Sequence, residues 1–159
     1  MKNLILLVGL TLAQFIFAQN YPETLPDFKI FSIEGKDFSK NEVAKYSYSY
    51  FIYFNPECGH CQTAFKKLNK NAEELKNADV MLYPVSSNTQ EKTQKFFEKY
   101  APKIKDLENM TVLKDDNFKF ADALFVGGYP TSYLYDKNQK LISVYNGSGK
   151  ILEFLKELK

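Results

Sequence analysis

Both cysteines of the chain and its single histidine fall within four residues, Cys58-Gly59-His60-Cys61, preceded by Phe54-Asn55-Pro56-Glu57. Two thiols two residues apart at the start of a helix can close a small disulfide ring with little backbone movement. A helix N-terminus carries partial positive charge and free N–H groups, which favour a thiolate at Cys58 and make it the attacking sulfur. Cys61, one turn further in, is then placed to resolve a mixed disulfide. His60 can hold partial positive charge beside the thiolate; that stabilises the reduced form and makes the disulfide more oxidising. Glu57 works against the thiolate if it stays close, and is neutral to it if simply solvated. The rival chemistry is copper binding by the soft sulfurs and the imidazole. Adjacent His60 cannot easily reach an ion held by both thiols, however, and a closed zinc site needs four ligands. No metal and no cofactor is expected.

These residues need a strand to deliver them and a helix to hold them. Tyr48, Tyr50, Ile52 and Phe54 alternate with Ser49, Phe51 and Tyr53 in an almost wholly aromatic or branched run, which suits a central strand covered on both faces and leads directly to Cys58. From Gly59 onward Phe65, Leu68, Ala72 and Leu75 recur at helical spacing, with lysines and glutamates on the other side. Upstream, Phe28, Ile30 and Ile33 begin a strand that breaks at Glu34-Gly35-Lys36, and Ser39 with Glu42 forms a capping box for one helical turn. Downstream, Asp79 to Ser87 reads as a second buried strand, with Pro84 near its end. Thr89 to Tyr100 reads as a helix stopped by Pro102, and Met110 to Leu113 as a short strand. Asp116 reads as the cap of a helix through Phe120 and Leu124. Thr131 to Tyr135 and Leu141 to Tyr145 form a β-hairpin, and Ile151, Leu152, Phe154, Leu155 and Leu158 mark a closing amphipathic helix. The order implies an α/β sandwich with mixed strand directions.

The 159 residues are a one-domain length, and 45% hydrophobic with 16% aromatic content is enough to build a core. The 21 basic residues are all lysines, spread among 19 acids, without the Arg forks and clustered basic face of nucleic-acid readers. Nucleic acid is not an expected partner. Residues 1 to 18 hold Lys2, an apolar run from Leu4 to Phe17 and a small residue at Ala18. The run is interrupted by Gly9, Thr11 and Gln14, and falls short of the roughly 20 apolar residues of a membrane span. The expected division is a cleaved signal peptide over 1–18 and one folded domain over 19–159, with an uncleaved anchor as the alternative. No Cys follows the run to carry a lipid. The expected product is an exported, periplasmic or secreted monomer with no stable membrane anchor, in a compartment where disulfides persist.

Cys58-Gly59-His60-Cys61 at a strand-to-helix junction, with Tyr129-Pro130-Thr131 opening a hairpin about 70 residues later, resembles the thioredoxin fold. The extra strand and helix over roughly Asp79 to Ala123 resemble the insertion after the first helix in TlpA-like exported thiol-disulfide oxidoreductases. The resemblance covers nearly all of the chain after the leader. It implies a thioredoxin-like fold with a central mixed β-sheet flanked by helices, and a thiol-disulfide oxidoreductase. Its partners would be protein thiols or disulfides of exported proteins and a redox partner that recycles the pair. It implies that Pro130 is a cis-proline facing the disulfide and that the backbone of Tyr129 pairs with a bound peptide segment, with Pro56 shaping the rim. The tetrapeptide also resembles that of protein disulfide isomerases. The chain departs from the pattern in carrying Glu57 where thioredoxins have Trp, Ile52 where they have a buried acid, and Ala64 where TlpA-like reductases often have an acid. No acid thus stands in the usual places to take the proton of Cys61. Peroxiredoxin-like sites have Thr three residues before the reactive Cys, where this chain has Asn55. The TlpA-like layout favours the reductase direction, while His60 favours an oxidising or isomerising protein.

Overall fold

A computed structural model describes residues 21–158. The leader expected over 1–18 lies outside them. Among the described residues no helix is long and apolar enough to cross a membrane.

The central element is β3, Tyr48–Tyr53, whose side chains are almost all buried. It pairs in parallel with β4, Val80–Ser86, and antiparallel with β6, Thr131–Asp136. On the far side of β6 lies β7, Leu141–Asn146, as the second strand of the expected hairpin. Beyond β4 come the short β5, Leu113–Lys114, then β1, Lys29–Ser32, and β2, Asp37–Ser39, so the order is β2-β1-β5-β4-β3-β6-β7. Both parallel and antiparallel ladders are present, as a mixed sheet requires. The capping box forms: Ser39 and Glu42 close on each other at a one-turn 3₁₀ helix, Lys40–Glu42.

Alternation along β3 builds two cores. Tyr50, Ile52 and Phe54 point to one face, where they meet α1, Gly59–Lys70, α2, Ala72–Asn77, and α3, Gln90–Tyr100. Phe51 and Tyr53 point to the other face, under Leu25, Phe28, Phe38 and α4, Lys119–Ala123. Rings knit both layers: Phe54 lies 4.7 Å from Phe65 and 4.9 Å from Phe96, while Phe51 stacks on Tyr83 at 4.7 Å. Such pairs add to area burial because ring edges and faces carry opposite partial charge.

Several elements differ from the expectation. The helix after Cys58 breaks at Asn71, whose side-chain amide donates to Lys67 O instead of leaving that carbonyl to the helix. The closing segment is a 3₁₀ turn, Glu153–Lys156, because Ile151 and Phe154, three apart, are all that must be buried there. Asp116 does not cap α4. Its neighbour Asp115 is fully buried and accepts from the N–H groups of Phe120 and Ala121 at 3.2 and 3.1 Å. The strand expected at Met110 to Leu113 is displaced to Leu113–Lys114, with Met110 making only an isolated bridge to Leu82. Pro84 sits inside β4 rather than at its end. Leu82 N donates to Asn109 O and Asp115 N donates to Ser86 O, so alternate β4 residues bond toward β5; Pro84 turns its N–H-less nitrogen to the irregular segment before that strand.

Candidate active site

The segment between β3 and α1 is an ordered turn. Cys58 N donates to Asn55 O at 3.0 Å, and the Asn55 side chain accepts from Glu57 N at 2.9 Å and from Asn88 Nδ2 at 3.4 Å. This is the Asx turn that Asn, Pro and a following polar residue favour. Cys58 is the N-cap of α1, with extended φ and ψ, and its carbonyl receives Gln62 N at 3.0 Å. No side chain caps this end. The first N–H groups of α1 thus receive no side-chain cap.

Cys58 is half-buried, and Cys61 is fully buried among Phe54, Phe65 and their neighbours; both thiols are free. Burial pushes the Cys61 thiol up to about 12, partly offset by the Asn55 N–H, which donates to its sulfur at 3.5 Å; adjacent Cys58 adds to the rise by charge and hydrogen bond. No carboxylate acts on Cys61. His60 is exposed on the first turn, and Glu57 is exposed and paired with Lys92 of α3 at 3.1 Å. A pair this open contributes little to stability.

Across the mouth the Tyr129–Pro130 peptide bond is cis, and the Cys58 thiol lies 3.9 Å from Tyr129 O. Gly147 N donates to Pro130 O at 2.8 Å, and Thr131 Oγ1 lies 2.9 Å from Gly128 O and 3.0 Å from Asn146 Oδ1, so the loop is braced from both sides. Pro130 and Pro56 are buried, while Tyr129 is exposed. Cys58, Cys61, Tyr129 and Pro130 thus come together. Pro56 lies under the turn, its carbonyl receiving Gln62 Nε2 at 3.4 Å, and offers shape more than contact surface. Sequence reasoning passed over Asn55, legible as an Asx-turn residue, and Tyr53 and Asp115, whose link exists only through the fold. Among the described residues no three of His, Cys, Asp and Glu gather as a metal site.

A mixed sheet with a dithiol at the mouth of the helix after its central strand, opposite a cis-proline loop, defines a thioredoxin-like protein. The chain belongs to the AhpC/TSA family, whose model matches residues 22–144. It is similar in structure to the thioredoxin domain of a thiol-disulfide oxidoreductase from Bacteroides vulgatus, at 19% identity over 89% of this chain and 100% of that one, with a TM-score of 0.69. A thiol-disulfide oxidoreductase from Bacteroides fragilis is 19% identical over 86% of this chain and 99% of that one, with a TM-score of 0.67. The exposed lipoprotein thioredoxin of Streptococcus pneumoniae is 24% identical over 84% of this chain and 100% of its own, with a TM-score of 0.61. At these identities the likeness is one of fold. No curated protein matches the chain significantly.

Proposed function

We propose that the protein is a thiol-disulfide oxidoreductase acting on exported proteins, with Cys58 as nucleophile and Cys61 as resolving thiol. The observation that carries this reading is a half-exposed Cys58 at the open end of α1, 3.9 Å from Tyr129 O beside a cis-proline, with Cys61 buried beneath it. The Cys58 thiolate attacks a substrate disulfide; a Cys58–substrate bond forms and one substrate sulfur leaves as a thiolate. Cys61 then loses its proton and attacks the Cys58 sulfur, which closes the Cys58–Cys61 disulfide and releases the second substrate sulfur. The substrate gains two electrons and the chain loses two. The same steps in reverse oxidise a dithiol.

Pushing Cys61 up to about 12 makes its proton the slow cargo of the second step. Among the described residues no carboxylate acts on Cys61, so its proton leaves through the mouth to water or to the departing substrate thiolate. The overall layout supports the reductase direction, and His60 on the first turn is the residue that tunes the potential. Cleavage of the leader after Ala18 would deliver the domain to the periplasm or the exterior, where a partner must recycle the pair.

The test is reduction of a disulfide-bonded peptide by the pre-reduced protein, with Cys58→Ser and Cys61→Ser beside it. Turnover is expected to be lost in both, and only Cys61→Ser should accumulate a mixed disulfide with substrate. Full turnover in either variant refutes the mechanism. Equilibration with a glutathione buffer fixes the direction: a potential near −270 mV supports the reductase, and one near roughly −120 mV the oxidase.

A further inference from the structure

Beside Cys58 three rings lie in a nearly parallel column. Phe120 and Tyr53 are 6.1 Å apart with planes 3° from parallel, and Tyr53 and Tyr129 are 5.9 Å apart at 17°. The inner two rings are fully buried, whereas Tyr129 keeps 39% of its surface open. One buried carboxylate aligns the inner members: Asp115 Oδ2 accepts the Tyr53 hydroxyl at 3.1 Å, and Asp115 Oδ1 accepts Phe120 N at 3.2 Å. The column runs from the core to the rim of the site, and its last ring belongs to the residue whose carbonyl faces the Cys58 sulfur. Glu57, the residue before Cys58, is paired with Lys92 at 3.1 Å.

We propose that Tyr129 is a specificity-determining aromatic platform, held in place by Tyr53 as a positioning residue, and that it selects disulfide-bearing polypeptides carrying an aromatic side chain next to the reacting cysteine. The inference rests on the thiol-exchange reading above. A peptide whose sulfur is bonded to Cys58 must run past Tyr129 O, and its neighbouring side chain then extends the column by one ring. Offset ring pairs contribute beyond the area they bury, enough for a preference of about fivefold. Tyr53 contributes through its ring, packed on both faces in the buried column, which keeps the Tyr129 ring flat against it.

The experiment uses two octapeptides, each closed by one internal disulfide and differing only in Phe or Ser before the first cysteine, with glutathione disulfide as a third oxidant. Pre-reduced protein is mixed with each, and dithiol product is followed by acid quench and chromatography. The wild-type chain is expected to prefer the Phe peptide about fivefold in kcat/KM, with the difference in KM. Tyr129→Ala and Tyr53→Leu are expected to bring the ratio to about 1, while Tyr53→Phe, which keeps the ring, retains it. If Tyr53→Leu fails to fold by circular dichroism, Tyr129→Ala, altered at the partly open last ring of the column, decides alone. A wild-type ratio near 1 with both peptides reduced overturns the platform and leaves the exchange mechanism standing. So does a ratio that persists in Tyr129→Ala. If neither peptide nor glutathione disulfide is reduced, the exchange reading falls and the platform with it.

Discussion

In a Cys58→Ser variant Cys61 is the only thiol left, and its ionisation can be read without ambiguity. Burial is the largest cause of its rise to about 12, and the influences of Cys58 are the smallest, so the substitution removes little of the effect. The half-point for alkylation is expected to stay above about 10, against about 8.5 for a free thiol. At pH 8.5 a free thiol is about half ionised, while one held near 12 is ionised at roughly 3 parts in 10,000, a rate difference of ~10³ from ionisation alone. Complete exclusion of Cys61 from solvent slows the reaction further, since the reagent must wait for a local opening. The assay is iodoacetamide labelling against pH, read by peptide mass, with the same chain in denaturant as reference. A folded-state rate within tenfold of the unfolded reference at pH 8.5 would refute the argument that packing around Phe54 and Phe65 keeps this sulfur protonated.

The same burial sets the alkaline limit of the fold. Cys61 and Tyr83 are each held near 12, and Tyr50, Tyr53, Tyr133 and Tyr135 are raised further, chiefly by burial. Each group binds its proton more tightly when folded, so its contribution is complete below the unfolded value, about 8.5 for Cys and about 10 for Tyr, and is lost as pH rises toward the folded value. The reduced protein should therefore lose stability steadily above about pH 9 to 10, with phenolate absorbance rising together with loss of circular dichroism; ionisation of all the tyrosines in a still-folded chain would contradict this. Asn109→Ala is expected to cost about 2–3 kcal/mol in urea unfolding, because the buried Asn109 amide donates to Leu75 O at 2.8 Å and Val80 O at 3.0 Å and both carbonyls lose it. A cost below about 0.5 kcal/mol would show that water replaces the amide there.

The strand leading to Cys58 was legible because every position from Tyr50 to Phe54 is apolar, and only a strand covered on both faces can use all of them. The break at Asn71 was not, since Leu68, Ala72 and Leu75 keep helical spacing across it and all three are buried; the apolar period records which side faces the core, not whether the backbone stays helical. The same limit turned the closing segment into a helix on paper, where Ile151 and Phe154 need only one tight turn. Choosing between Asp115 and Asp116 required a tertiary fact, the Tyr53 hydroxyl 62 positions away in the chain. Within the site the thiol pair announced itself by spacing and the Tyr129–Pro130 loop by resemblance to a known fold. The aromatic column was invisible because its members come from three separate elements, each with its own sufficient reason to be apolar.

Because neighbouring residues of β3 serve opposite cores, the location of the thiols depends on a count being even or odd. Inserting or deleting one residue between Tyr48 and Phe54 would exchange the partners of the helical layer with those beneath α4 and turn the following turn away from Gly128 to Thr131. Parity along six residues is thus a stricter requirement on this chain than the identity of any one ring.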